Sequence, residues 1–267
     1  MATTKVRYNQ IKTGLPAGGD VNYNDVSLLL NMEGSNGSTT FADGSSSEHS
    51  ITANGNASIS TSEFKFGSSS AYFDGNSYLN TASNDFAFGI GDFTIEWWQN
   101  FNADSLKTGI GYEKGALQIS PTSGGFDTNY SNGILIWFGS SLAGDNSISA
   151  TIDGTSHISS SSNVLTPNSW DNVVVTRSSG AVRIFINGTQ VASGTNTGNI
   201  SGQNLVLGGY YSTSFLVTGY MDNIRITKGV ARYTSNFSVP TAAFPAFESK
   251  EGKELRVGAN GTIELES

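Results

Sequence analysis

The chain has 267 residues, only 13 % of them charged, and 14 basic against 22 acidic side chains leave a net charge of −8. With a pI near 4.7, that balance argues against nucleic acid or an anionic membrane surface as partner, since both need a basic face. The absence of cysteine excludes disulfides, thiolate nucleophiles and zinc–cysteine sites, and the wealth of glycine, 32 residues, beside Ser, Asn and Thr excludes an all-helical chain.

Residues 1–25 read as an extended arm. Lys5, Arg7 and Lys12 precede the first acid, Asp20, and Gly14, Pro16, Gly18 and Gly19 follow among them, with Val6, Tyr8, Ile11 and Leu15 as spaced hydrophobes. The first eight residues carry no apolar run of the signal-peptide kind, so synthesis without Sec export is expected. Residues 26–247 alternate short apolar runs with polar turns. Phe93, Ile95 and Trp97 share one face of a strand, and Thr94, Glu96 and Trp98 the other. The continuous apolar runs Ile134–Phe138 and Val173–Val175 predict strands buried on both faces. Neither approaches the ~20 residues that span a bilayer, and no membrane insertion is expected. Asn187-Gly188 between two β-rich runs predicts a two-residue hairpin turn. Leu205–Leu207 and Tyr220–Thr227 add two strands; in the second, Asp222 has the parity of Ile224 and Ile226 and is expected to point inward. One short helical turn is predicted around Lys228–Tyr233. Turns every 8–12 residues or so between roughly a dozen strands make the chain all-β, a sandwich or barrel.

The last segment, 248–267, packs eight charges into twenty residues. Leu255, Val257, Ile263 and Leu265 alternate with charged residues around Gly258–Gly261, which predicts a hairpin with one apolar face. A lone hairpin is marginal in water, so this one must dock on another surface.

Two features bear on ligands. Tyr210, Tyr211 and Phe215, in the loop after Leu207, offer stacking faces for a sugar, with Asn129, Tyr130 and Asn132 beside a neighbouring strand as amide partners. The competing role for these aromatics is to complete the core. His49 and His157, the two histidines, sit in Ser-rich stretches that read as exposed loops.

Four segments in order carry a family resemblance: Ser70-Ala-Tyr-Phe-Asp-Gly75, Asp92-Phe-Thr-Ile-Glu-Trp-Trp98, Trp170-Asp-Asn-Val-Val-Val-Thr176 with Phe185-Ile-Asn-Gly188, and Gly219-Tyr-Met-Asp-Asn-Ile-Arg-Ile226. Together they resemble the concanavalin A-like lectin/glucanase superfamily, in its laminin-G-like branch. The resemblance implies a two-sheet antiparallel jelly roll over about 26–247. Sugar-hydrolysing members carry two Glu and an Asp at alternate positions of one strand, and retaining cleavage needs two carboxyl groups about 5–5.5 Å apart. Here Glu96 stands alone. It reads as an ordinary strand residue, replaceable by Gln without loss of function, and the chain as no enzyme. The resemblance also raises Ca²⁺, with Asp74 and Asp222 as the ligands to test. For Asp222 the alternative is hydrogen bonding to backbone amides, Arg225 or a neighbouring Ser.

The run from Arg225 to Phe237, followed by Pro240 and Pro245, is similar to the end of laminin-G-like modules of bacteriophage structural and tail proteins. The expectation is a virion protein, decorating or stabilising capsid or tail and anchored through its ends to other virion proteins or to copies of itself. A receptor-binding lectin gripping a host-surface glycan is the alternative, and a polysaccharide-degrading enzyme a lesser one.

Overall fold

Apolar–polar alternation builds strands throughout the middle of the chain. The computed structural model describes residues 19–109, 113–121, 131–139, 143–210 and 212–246, with the strand backbones at 255–257 and 263–265. In chain order the strands are β1 (Val26–Leu30), β2 (Thr52–Asn54), β3 (Ser58–Ser60), β4 (Ser70–Asp74), β5 (Tyr78–Ala82), β6 (Phe93–Phe101), β7 (Lys114–Ser120), β8 (Ile134–Phe138) and β9 (Ile148–Ile152). They continue with β10 (Ser156–Ser159), β11 (Asp171–Ser178), β12 (Ala181–Ile186), β13 (Thr189–Thr195), β14 (Asn204–Leu207), β15 (Gly209–Tyr210), β16 (Ser212–Leu216) and β17 (Thr218–Lys228), and end with β18 (Leu255–Val257) and β19 (Ile263–Leu265). Among the described residues the only helical pieces are short 3-10 turns, and no helix is long and apolar enough to cross a membrane.

Two antiparallel sheets face each other as a jelly-roll sandwich. One has eight strands in the order β13-β12-β11-β6-β17-β4-β3, with β1 also pairing β17; the other has seven, in the order β10-β9-β8-β7-β14-β5-β2. Phe93, Ile95 and Trp97 of β6 enter the core between them, as their parity predicts, alongside Ile119, Ile136 and Phe138 of the facing sheet. The Trp97 indole N–H, cut off from water, donates to Gln99 Oε1 at 2.8 Å. β8 is buried along its whole length, as its unbroken apolar run requires. The Asn187-Gly188 turn forms the predicted hairpin, with φ of 50° and 78° at its two residues. Those left-handed values are what a two-residue turn between right-twisted strands needs.

The other face of the eight-stranded sheet is buried too, because the segment after β17 turns back across it. Thr94 Oγ1 donates to the Val230 carbonyl (2.9 Å) and accepts from the Arg232 amide (2.9 Å), while Thr176 Oγ1 donates to the Tyr233 carbonyl (3.1 Å). Further along, the Phe237 amide donates to the Gly188 carbonyl at 3.0 Å, and the Phe244 amide to Asn223 Oδ1 at 2.7 Å. The sequence predicts a helical turn around Lys228–Tyr233; the segment is an irregular strap instead. Threonine hydroxyls of the sheet satisfy its backbone, so it follows the sheet rather than coiling on itself.

A β-bulge in β17 corrects a second expectation. Asp222 lies opposite Trp98 and Arg225 opposite Glu96, so Asn223 and Ile224 together face a single residue of β6. Asn223 takes φ 47° to make the step. The extra residue reverses the parity, and Asp222 lies on the strap side with Arg225, while Ile224 and Ile226 enter the core.

By the density of internal packing the chain forms two units, Asn24–Phe244 and Met1–Tyr23 with Pro245–Ser267. The sandwich is the first. In the second, β18 and β19 pair antiparallel with Leu255 opposite Leu265 and Val257 opposite Ile263, the strand pairing that the sequence predicts. The arm residues 1–18 lie outside the described residues.

Candidate functional site

Glu96 is not an ordinary strand residue. It is 0 % exposed, and its Oε1 accepts from Arg225 Nε at 2.9 Å and pairs with Arg225 Nη2 at 2.8 Å. Tyr233 of the strap donates its hydroxyl to Oε2 at 3.1 Å. Burial, then the Glu96 charge, push the Tyr233 phenol well above its usual pKa, so it stays a donor. Phe244 closes the cluster, its ring 3.9 Å from the Arg225 guanidinium. Both carboxylate oxygens are occupied under a lid of protein, so Glu96 fastens the strap to the sheet and cannot meet a substrate.

The two aspartates proposed for calcium are likewise tied into the fold, and apart. Asp222 Oδ2 accepts from the Lys65 and Phe66 amides (2.9 and 3.0 Å) and Oδ1 from the Asn223 side chain (3.3 Å). Burial raises its pKa, and these bonds offset the rise only in part. Asp74 accepts from the Asn56 side chain (2.8 Å) and the Asn76 amide (2.9 Å) in the turn after β4. Burial raises its pKa, but these bonds and Ser77 outweigh that and leave it lowered. Across the β4–β17 register Asp74 faces Thr218, which puts Asp222 four residues further along, about 13 Å away at strand spacing. One cation cannot bridge them, and no cluster of three or more acidic or histidine side chains able to hold a metal occurs among the described residues.

The described aromatics of the sugar platform, Tyr210 and Phe215, pack into the fold. Tyr210 is buried at 8 % exposure in a satellite cluster with Leu135 and Trp137, and half-buried Phe215 packs against it. It stacks on Trp137 with ring centres 6.0 Å apart, lying so close over β7 that a Cβ on Gly115 would collide with its ring. It completes a core. Asn132 lies in the turn before β8, at the end away from Trp137 and about 16 Å from it at strand spacing, where its φ of 61° and the bond from its amide to Asp153 Oδ1 (2.8 Å) shape the turn. Tyr211, Asn129 and Tyr130 lie outside the described residues. Of the histidines, His157 is exposed but sits on β10, 5.1 Å from the Trp137 ring. His49 is no free loop residue: it packs on Phe86 and pairs with Asp85 at 3.1 Å.

What the structure does assemble is a polar groove at the edge of the eight-stranded sheet. The hairpin β12–β13 sends Val182, Ile184 and Ile186 into the core, which leaves Ala181 and Arg183 on the strap side. Ser193 of β13 lies opposite Arg183, and Thr195 opposite Ala181. Thr234, Ser235 and Asn236 of the strap form the second wall, held to the hairpin where the Gln190 amide donates to Asn236 Oδ1 at 2.8 Å. The cavity between them measures about 930 Å³ and is lined by hydroxyls, carboxamides, one guanidinium and no acid. Arg183 Nη1 is shielded from solvent with no hydrogen-bond partner. Sequence reading missed this groove because it joins a hairpin to a strap some 50 residues further on, and only the folded-back strap makes it.

The family model Laminin_G_3, described as the concanavalin A-like lectin/glucanases superfamily, matches residues 73–232. The chain belongs to this superfamily. The match spans β6 with Glu96, the bulged β17 and the start of the strap, so the lectin-like jelly roll is the scaffold on which the groove is built. No curated protein matches the chain. Similar solved structures include the binding domain of Paraclostridial mosquitocidal protein 1, at 15 % identity and a TM-score of 0.58, covering 78 % of this chain and 50 % of that one. Another is the binding domain of botulinum neurotoxin DC in complex with SialylT, at 14 % identity and a TM-score of 0.53, covering 78 % and 49 %. A third, the botulinum neurotoxin serotype G binding domain, has 16 % identity and a TM-score of 0.53 over 76 % and 48 %. This chain spans about half the length of each, and at these identities the likeness is one of fold.

Proposed function

We propose that this chain is a non-catalytic carbohydrate-binding domain whose ligand enters the groove between β12–β13 and the strap. The observation that carries the reading is the lining: Gln190, Ser193, Thr195, Thr234, Ser235 and Asn236 present hydroxyls and carboxamides in one cavity. Sugars are recognised by such convergent donors and acceptors in a concave site. The lectin-like family supports the reading, as does the burial of Glu96 beneath the strap. A glycan array probed with the whole chain tests it. Saturable binding that falls when Ser193 and Asn236 are replaced by Ala is the expected result; uniform silence, or binding untouched by both replacements, overturns it. A reducing-sugar assay on any bound polysaccharide is expected to stay flat.

The display of this domain on a bacteriophage particle is a second reading, favoured by the division of the chain into a sandwich and a separate unit of its two ends. In it the ends hold the domain on the virion, through other virion proteins or further copies of itself, and the groove is left to a glycan of the host surface.

A further inference from the structure

Arg183 stands apart from the other described arginines. Arg177, fully buried, spends its guanidinium on the carbonyls of Gly89, Gly91 and Gly198 and on Asn196. Arg225 is held by Glu96, and Arg232 donates to Thr227 Oγ1 at 2.7 Å. Among the described residues Arg183 forms no ion pair and no side-chain hydrogen bond, and its Nη1 is hidden from water without a partner. A guanidinium N–H in that state is under-satisfied until an acceptor arrives from outside. The groove around it has no carboxylate of its own, although acids outnumber bases by 22 to 14 in the chain.

The acceptor that suits a half-buried guanidinium is planar and carries two oxygens, since Arg and a carboxylate match as two parallel N–H to O bonds. The flanking Ser193, Thr195 and Gln190 suit ring hydroxyls rather than an acidic peptide's backbone. We propose that the groove selects saccharides bearing a carboxylate, with Arg183 clasping the carboxylate and the polar walls meeting the ring. The inference rests on the carbohydrate-binding reading above and narrows it to acidic sugars.

Calorimetric titration of the whole chain separates the two. The probes are trigalacturonate and sialyllactose, each paired with its methyl ester, which keeps the sugar and removes the charge. The acids are expected to bind at least about tenfold more tightly than their esters, the ratio set by losing a charge-assisted bond. Arg183→Gln should bring the acids down to the level of the esters at an unchanged melting temperature, with Arg183→Lys between, and added salt should weaken the acids alone. In the unaltered protein the Arg183 Nε–H resonance should move on adding the acid and not the ester, a reading that survives even if a variant folds poorly. Equal binding of acids and esters, or an Arg183→Gln protein that binds acids as before, overturns the acidic-sugar inference and leaves a neutral lectin. Silence of both acids with binding of neutral glycans does the same. Silence toward every saccharide overturns both readings.

Discussion

Glu96 and Trp97 are chain neighbours on opposite faces of β6, and each is sealed by different chemistry. Trp97 fills the inter-sheet core at 0 % exposure; replacing it with Ala should cost about 3–5 kcal/mol through the cavity left behind, read as a shift in the urea midpoint. Glu96 is equally buried but charged, and its partner Arg225 is only 6 % exposed. Glu96→Gln should therefore destabilise by about 3 kcal/mol, near the low end for stranding one member of a buried pair because the amide oxygen still accepts a bond. A double-mutant cycle with Arg225→Met should recover much of that loss; additive losses would show that the pair is not coupled. Asp222 gives a pH test. Its folded pKa is raised by burial above 3.8, so the folded state holds the proton more tightly than the unfolded one. The carboxyl's contribution is then greatest below 3.8 and is lost as pH rises through the raised value. Asn keeps the acceptor for the Lys65 and Phe66 amides without ever charging. The stability of Asp222→Asn relative to the unaltered protein should accordingly grow as pH climbs from roughly 4 to roughly 7, and a difference constant across that range would refute the assignment.

At the scale of elements, local chemistry makes most strands readable in the sequence itself. Asn-Gly favours the two-residue turn at 187–188 because both residues tolerate the positive φ it needs, and an unbroken run such as Ile134–Phe138 suits a strand buried on both faces. Two elements escaped for reasons equally physical. The bulge at Asn223 adds one residue to β17, and strand parity carries no memory across an extra residue, so the period-two pattern puts Asp222 on the wrong face. The strap has no periodicity of its own, because its order comes from the hydroxyls of Thr94 and Thr176 and the rings beneath it; Phe237 meets Phe185 at 5.5 Å and stacks on Tyr233 at 3.8 Å. The candidate site followed the same rule. Aromatics near a turn read as a sugar platform, yet Tyr210 joins Trp137 in a satellite core, while the groove that exists needs the strap. A protein cut to residues 24–228 would uncover Glu96, Thr94 and Phe185 together. It should aggregate or bind a hydrophobic dye with a weakened near-ultraviolet signal, whereas native-like cooperative unfolding of that fragment would show the strap to be dispensable.

For the molecule as a whole, the division between the sandwich, Asn24–Phe244, and the unit formed by the two ends frames the last prediction. Each strand of the two large sheets lies within 24–244, and so does every described partner of the Glu96 cluster. A protein truncated to residues 24–247 therefore keeps the strap and both walls of the groove, and loses the arm and the β18–β19 hairpin. Every residue of the main core cluster is kept, so it should fold as a soluble monomer with unchanged β content and an unchanged glycan profile. If the ends anchor the chain, the same protein should fail to join particles or oligomers that the full chain enters. The hairpin's alternation of Leu255, Val257, Ile263 and Leu265 with charged residues gives it one apolar stripe to place on a partner, and a two-stranded ribbon alone has too little to bury for independent stability. Light scattering of the two proteins side by side, followed by co-sedimentation with assembled particles, reads the outcome. Assembly of the truncated protein at the full chain's efficiency would transfer the contacts to the sandwich and end the anchoring role of the ends, while loss of the fold itself would show that the ends complete the core.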